Sequence, residues 1–156
     1  MDQKTNVMRY LDKLNISYKI HAYTETNAIG GMDVAFALNK NPSQVFKTLV
    51  TIGKSKKHYV FMIPVNRELD LKKAAASVDE KSVEMIKSKD LLQLTGYIHG
   101  GCSPLCMKRS LKTMIDSSVE SQKTIFFSAG KVGYQIEIEF TDLQKAMDIK
   151  MTALVM

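Results

Sequence analysis

The sequence is poor in the features that mark several protein classes. It holds two cysteines in 156 residues. Its N-terminus, "MDQKTNVMRYL", lacks the apolar stretch of a secretion signal. A disulfide framework is therefore not expected. No apolar run approaches the roughly 18 residues of a membrane span. There is no internal repeat, no low-complexity tract and no Pro- or Ser-rich linker. G-x-S-x-G, H-E-x-x-H and a Walker-type phosphate loop are all missing, as are an RGG tract, a zinc finger and an RNP aromatic signature. Aspartates and glutamates are scattered, without an evident acid/base pair. These exclusions leave a cytoplasmic chain. An enzyme of this composition works by positioning and polarisation, not through a nucleophile of its own.

What is there is ordinary for a globular domain: 45% apolar and 24% charged residues. The length predicts one domain over residues 1–156, able to bury about 68–70% of its unfolded surface. A net charge of +6, from 22 basic and 16 acidic residues, mildly favours an anionic partner.

Apolar periodicity places Val7, Met8, Leu11 and Leu14 on one face of a first helix, with Thr5 or Asp2 as cap and Asn15 at its end. "SYKIHAY" reads as a strand, "TETNAIGG" as a loop and "MDVAFAL" as a short helix. Asn41 and Pro42 mark another helix start. "VFKTLVTI" (Val45–Ile52) is a buried strand, with "HYVFMIPV" as its antiparallel partner. Asp70 caps a helix over "LDLKKAAASV". "SVEMI" is ambiguous. "SKDLLQLTG" is a helix with Ser88 before it and Gly96 after it. "YIHGG", "TMIDSS", "TIFFSAG" and "YQIEIEF" read as strands, and "TDLQKAM" as a last helix capped by Thr141 or Asp142. Interleaved helices and strands with tight turns predict an α/β domain. Its sheet is mixed, largely antiparallel and barrel-like, with helices outside.

Three features could carry chemistry. Lys47 lies inside an apolar strand, on the face of Leu49 and Thr51 and opposite Phe46, Thr48, Val50 and Ile52. It either snorkels at a sheet edge or points into a cavity to meet an anion. Gly100 and Gly101 open the stretch "GGCSPLC". They let a ligand approach the backbone and leave N–H groups to hold a carbonyl or anion, or they make a plain turn with Ser103-Pro104. "SAGKVG" (Ser128–Gly133) is a hairpin turn that could equally line the mouth of a site. Cys102 and Cys106 have C-x3-C spacing, which does not suit a thioredoxin-type pair. With His99 they offer three zinc ligands, but no second cluster completes a structural site. They read as reduced thiols, and neither metal nor cofactor is expected.

The ordered set "VFKTLV", "DLKKAA", "GYIHGGCSPL" and "FFSAGKVG..IEI" resembles the YbaK-type Cys-tRNA(Pro) deacylases, relatives of the editing insertion domain of bacterial prolyl-tRNA synthetase. The similarity runs over nearly the whole chain. It implies removal of a mischarged amino acid from a tRNA 3′ end, with cysteine on tRNA(Pro), and also on tRNA(Cys), as substrate. It implies Lys47 as the key lysine holding the terminal phosphate or ribose. Tyr23, Thr48, Gly100, Gly101, Ser103, Ser128 and Gly130 match the pattern around the site. Gln135 stands where the pattern has an aspartate, Cys106 where it has glycine after "SPL", and Gly30 where it has phenylalanine. The resemblance also implies that the substrate's own thiol attacks its ester, and that a synthetase adds selectivity. The partners expected are the aminoacyl end of tRNA and prolyl-tRNA synthetase, with neither DNA nor membrane. The competing readings are a non-catalytic module that holds aminoacyl-tRNA or a nucleotide, and a deacylase with another amino-acid preference.

Overall fold

The computed structural model describes residues 4–156. Helix α1 spans Asn6–Lys13 and buries Val7, Met8 and Leu11. Thr5 caps it by accepting a hydrogen bond from the Met8 N–H (3.3 Å). The alternative cap, Asp2, lies outside the described residues. Strand β1 (Lys19–Ala22) is followed by helix α2 (Gly31–Ala37), a single 3₁₀ turn at Pro42–Gln44 capped by Asn41, strand β2 (Phe46–Gly53) and strand β3 (His58–Pro64). Helix α3 (Leu71–Ser77) starts where Asp70 accepts the Lys72 and Lys73 N–H groups. Then come β4 (Val83–Met85), α4 (Ser88–Thr95), β5 (Lys112–Asp116), a 3₁₀ turn at Ser117–Ser121, β6 (Ile125–Ser128), β7 (Tyr134–Ile138), α5 (Phe140–Ala146) and β8 (Ile149–Thr152).

The α/β class and the mixed pairing match the expectation; the barrel does not. The strands form two sheets, β1-β7-β6 and β4-β2-β3-β5-β8, and neither closes. Four pairings are antiparallel, while β3/β5 and β5/β8 are parallel. Closure fails at more than one place: β2 and β6 are not laddered, and no pairing links the outer strands β1 and β8. The sheets meet through an isolated parallel bridge, Val45 to Phe126, and β2 and β6 form no ladder beyond it.

Other expectations need correction. "YIHGG" is a turn, because the Gly101 N–H folds back onto the Ile98 carbonyl (3.0 Å) instead of joining a ladder. The α5 cap is Glu139, with no side-chain cap bond; Thr141 and Asp142 lie inside the helix. Ser88 is the first residue of α4 and Lys87 its cap. The ambiguous "SVEMI" contains β4, and β8 had no reading at all. Both are short: β4 runs alongside only the far end of β2, and β8 along β5.

The main core lies between the sheets. Phe46, Met62 and Ile115 of the larger sheet face Ile125, Phe127, Ile136 and Ile138 of the smaller, with α1 and α5 closing the ends. On the opposite surface, Phe126 packs with Val45, Val65 and Ala35 of α2. Below the bridge, Gln44 donates to Thr124 (3.0 Å), which donates to Glu137 (2.6 Å), and Glu137 pairs with His21 (2.8 Å). Burial alone would raise the Glu137 pKa; the hydrogen bonds from Thr124 and His21 outweigh it and hold the carboxyl below its ordinary value. The joint between the sheets is thus braced by an apolar ring above and a polar chain below. Phe126, fully buried at the joint, is the test. Phe126→Ala is expected to cost about 3–5 kcal/mol, read as a lower urea midpoint with unchanged slope. A loss under about 1 kcal/mol would mean that the joint does not depend on it.

Candidate functional site

Beyond the Val45–Phe126 bridge, β2 and β6 part, and a cleft of about 370 Å³ occupies the gap. Its position follows from strand geometry. Bridged residues share a face, and side chains alternate along a strand. Lys47 lies two residues beyond Val45, and Ser128 two beyond Phe126, so they stand on opposite banks of the gap on one surface. Gln135 is the cross-strand partner of Ser128 and His21, and shares that surface. The ladder extends by the Tyr23 N–H to the Gly133 carbonyl (2.8 Å), and alternation from His21 puts Tyr23 on the same side.

Backbone groups also turn into the gap. Val50 C=O accepts from Ile86 N–H (3.2 Å) on the side of β2 away from β3. By alternation, the N–H and C=O of Thr48 point to that side too, short of the reach of β4. Ala129 N–H binds the Tyr134 carbonyl (3.1 Å) on the β7 side, so the peptide groups of Ser128 point the other way, toward β2. The loop around residues 98–103 makes no backbone hydrogen bond to either. Two partly unzipped parallel strands therefore offer donors and acceptors to a guest.

Lys47, Thr48, Gly100, Ser128 and Gln135 line this cleft. Lys47 is half-buried and makes none of the ion pairs among the described residues. It borders the cavity that the second of its two readings requires. The Thr48 side chain turns to the Phe46 and Val50 face. Four buried side-chain polar atoms lack a hydrogen-bond partner among the described residues. Three belong to expected site residues: the Tyr23 hydroxyl, Thr48 Oγ1 and Gln135 Oε1; the fourth is Ser118 Oγ. Buried polar atoms are ordinarily satisfied; of these, Gln135 Oε1 belongs to a side chain on the Lys47 surface of the cleft.

The remaining expected residues support the walls. Gly100 has φ of 87°, and a Cβ there would stand 2.7 Å from Ile29 Cγ2. Gly101 packs its backbone against the second glycine loop, where a Cβ would meet the Val132 N at 3.3 Å. Its N–H is spent on Ile98, so it is not the free donor expected of it. Ser103 is fully buried and its hydroxyl takes the Leu105 N–H (3.4 Å). Gly130 N–H donates to Ser128 Oγ (3.1 Å). Neither Gly101, Ser103, Gly130 nor Tyr23 lines the cleft.

The expected departures resolve differently. Cys106 has a left-handed backbone (φ 62°), which suits the glycine of the pattern. It borders a second cleft with Arg109, Lys112 and Lys150, not the first. Gly30 does line the first cleft, and a Cβ there would meet only Asp33 Oδ2, at 3.7 Å, so that side is roomy. The zinc reading loses its geometry: His99 and Cys102 line the Lys47 cleft, and Cys106 the other. Among the described residues, no three His, Cys, Asp or Glu side chains gather as a metal-holding group. Sequence reasoning gave Cys102 and His99 no place in the wall. It missed the apolar wall of Ile29, Val34, Val65 and Leu91 altogether, because one sequence carries no signal for which apolar residues border a void.

Burial pushes the Cys102 thiol up to about 12, with partial relief from a hydrogen bond to Thr95. It is thus a neutral wall group and not a nucleophile. No aspartate or glutamate lines the cleft. A cation, backbone dipoles and one unpaired neutral oxygen thus meet in an otherwise apolar cleft.

Solved structures share this fold. "Hypothetical protein APE2540" superposes with a TM-score of 0.89 at 17% identity, over 97% of this chain and all of that one. A crystal structure of "a putative trans-editing enzyme for prolyl tRNA synthetase" superposes at 0.83 and 18%, over 99% of both. The chain belongs to the aminoacyl-tRNA editing domain family, whose pattern matches residues 31–146. It is 42% identical over 137 residues to the Enterococcus faecalis (strain ATCC 700802 / V583) protein named "Putative Cys-tRNA(Pro)/Cys-tRNA(Cys) deacylase EbsC", covering 87% of this chain and 84% of that protein.

The raised thiol pKa gives a direct test. At pH 8, Cys102 in the native protein is expected to react with a thiol reagent more than about 100-fold slower than in the unfolded chain, its thiolate being scarce. Peptide mapping after brief labelling reads the difference; equal rates would put a reactive thiolate in the cleft.

Proposed function

We propose that this chain hydrolyses mischarged aminoacyl-tRNA, with Cys-tRNA(Pro), and also Cys-tRNA(Cys), as substrate, and that residues 1–156 act as one editing domain in the cytoplasm. The observation that carries the reading is the shared cleft of Lys47, Thr48, Gly100, Ser128 and Gln135, residues from three separate stretches of the sequence that the editing pattern also groups together.

The volume suits an aminoacyl ribose and excludes a nucleic-acid helix. Lys47 takes the terminal phosphate or ribose and so fixes the ester between the strands. The cysteine substrate supplies the nucleophile that the cleft lacks. Its sulfur bonds to the ester carbonyl carbon, the carbon–oxygen bond to the ribose breaks, and the thiol proton passes to the departing ribose oxygen. A thiolactone leaves and water opens it. A free thiol has a pKa near 8.5, so a useful fraction is thiolate near neutrality. Charge that develops on the carbonyl oxygen falls to donors already in place: the Lys47 ammonium and peptide N–H groups facing the gap, that of Gly100 among them. No acidic group in the wall competes for the lysine.

The Lys47 cleft has room for the 3′ end alone. Selection of the tRNA body therefore falls to a partner, for which prolyl-tRNA synthetase is our candidate. The net charge of +6 adds salt-sensitive affinity for the acceptor stem.

The test is ester loss from Cys-tRNA(Pro), Ala-tRNA(Pro) and Cys-tRNA(Cys). We expect turnover on both cysteinyl substrates, a drop of about 100-fold or more in kcat/KM for Lys47→Ala, and full activity for Cys106→Ser. Saturable binding without ester loss would make the chain a holding module. Preference for Ala-tRNA(Pro) would overturn the thiol-assisted step.

A further inference from the structure

The cleft contains Lys47 and no carboxylate, yet an aminoacyl ester brings an α-amino group with up to three N–H donors. Something in the wall must receive them. Gln135 is 6% exposed, lines the cleft, and its Oε1 is buried without a hydrogen-bond partner. An unpaired buried acceptor of this kind is ordinarily destabilising. Its position on β7 leaves it no choice of neighbours. Ser128 stands beside it, and its Oγ accepts the Gly130 N–H, but it makes no hydrogen bond to Gln135 Oε1. His21, its other cross-strand partner, is turned to Glu137.

Lys47 and Gln135 belong to opposite banks of the parted strands. A ligand with a negative end and an N–H-rich end lies across the gap in one sense only. Its phosphate or ribose turns to Lys47 and its amine to the neutral oxygen of the β7 bank. A carboxylate at position 135 would instead attract the lysine across the empty cleft. The neutral amide leaves the lysine for the ligand.

Resting on the proposed editing function, we propose that Gln135 Oε1 accepts a hydrogen bond from the α-amino group of the substrate, and that the cleft therefore requires a free α-amine and rejects N-acylated aminoacyl esters. Acylation removes two of the three N–H donors, adds bulk, and leaves the amide oxygen unpaired. The thiol stays available, so only recognition changes.

The probe is 3′-deoxyadenosine carrying cysteine through a 3′-amide, which cannot be hydrolysed as an ester, in free-amine and N-acetyl forms. Binding to the wild-type protein is measured by calorimetry. N-acetylation is expected to weaken binding at least tenfold. Gln135→Met should weaken the free-amine ligand by a similar factor and leave the N-acetyl ligand unchanged, while Gln135→Glu should keep the discrimination. Equal affinity of the two ligands for wild type, equal weakening of both by Gln135→Met, or no binding of the free-amine ligand overturns the assignment. The wild-type comparison requires no variant to fold. Ester loss from Cys-tRNA(Pro) and N-acetyl-Cys-tRNA(Pro) separates the two ideas. Equal turnover of both substrates removes the Gln135 role and leaves editing in place. Discrimination in binding with no turnover of either removes editing and leaves the Gln135 role.

Discussion

Two parallel strands that pair at one residue and then separate shape this molecule. Continued pairing of β2 with β6 would zip the backbone shut, merge the two sheets and leave no cleft. Full separation would expose the core between them. The Val45–Phe126 bridge holds the middle course. Phe126 is packed by α2 and Val65 on one side, and the Gln44–Thr124–Glu137–His21 chain ties the strands' approach below. Past that clamp the strands are kept apart by what lies between and around them: the turn at Gly100, the start of α2 and the wall of α4.

The chemistry follows from this geometry. Peptide groups that a sheet would have consumed become ligand-binding groups, already oriented by the strands that carry them. Preorganised dipoles of this kind need no rearrangement when charge develops on a substrate. The wall adds one cation, no anion and a thiol that burial keeps protonated. Such a site polarises and orients; it does not attack. That suits a substrate which carries its own nucleophile, and it separates the residues that line the cleft (Lys47, Gly100, Ser128, Gln135) from those that build the wall behind them (Gly101, Ser103, Gly130).

Much of the architecture was legible in the order of residues. The β-branched run of β2, the hairpin to β3, the capped helices at Thr5 and Asp70, and the glycine turn between β6 and β7 are local signals, and each appears where local chemistry puts it. Lys47 stood out because a lone cation in an apolar strand needs a reason. Errors arose where local and tertiary demands diverge. "YIHGG" has strand-like residues, but two neighbouring loops crowd its glycines and it turns. Strands β4 and β8 are only three and four residues long, and their existence depends on an edge to pair with. A barrel needs every edge strand to find a partner, and neither β2 with β6 nor β1 with β8 forms a ladder.

The sequence by itself determined the class, the strand carrying Lys47, the two glycine loops and the family, because each rests on residues near one another or on an ordered set of short motifs. Tertiary structure decided that Gly101 spends its N–H on Ile98, that Cys102 and Cys106 face different clefts, and that Gln135 is buried with an unsatisfied oxygen. These are relations between surfaces brought together only by folding. No chain order contains them, since what a side chain faces is set by the elements packed over it and not by the residues beside it.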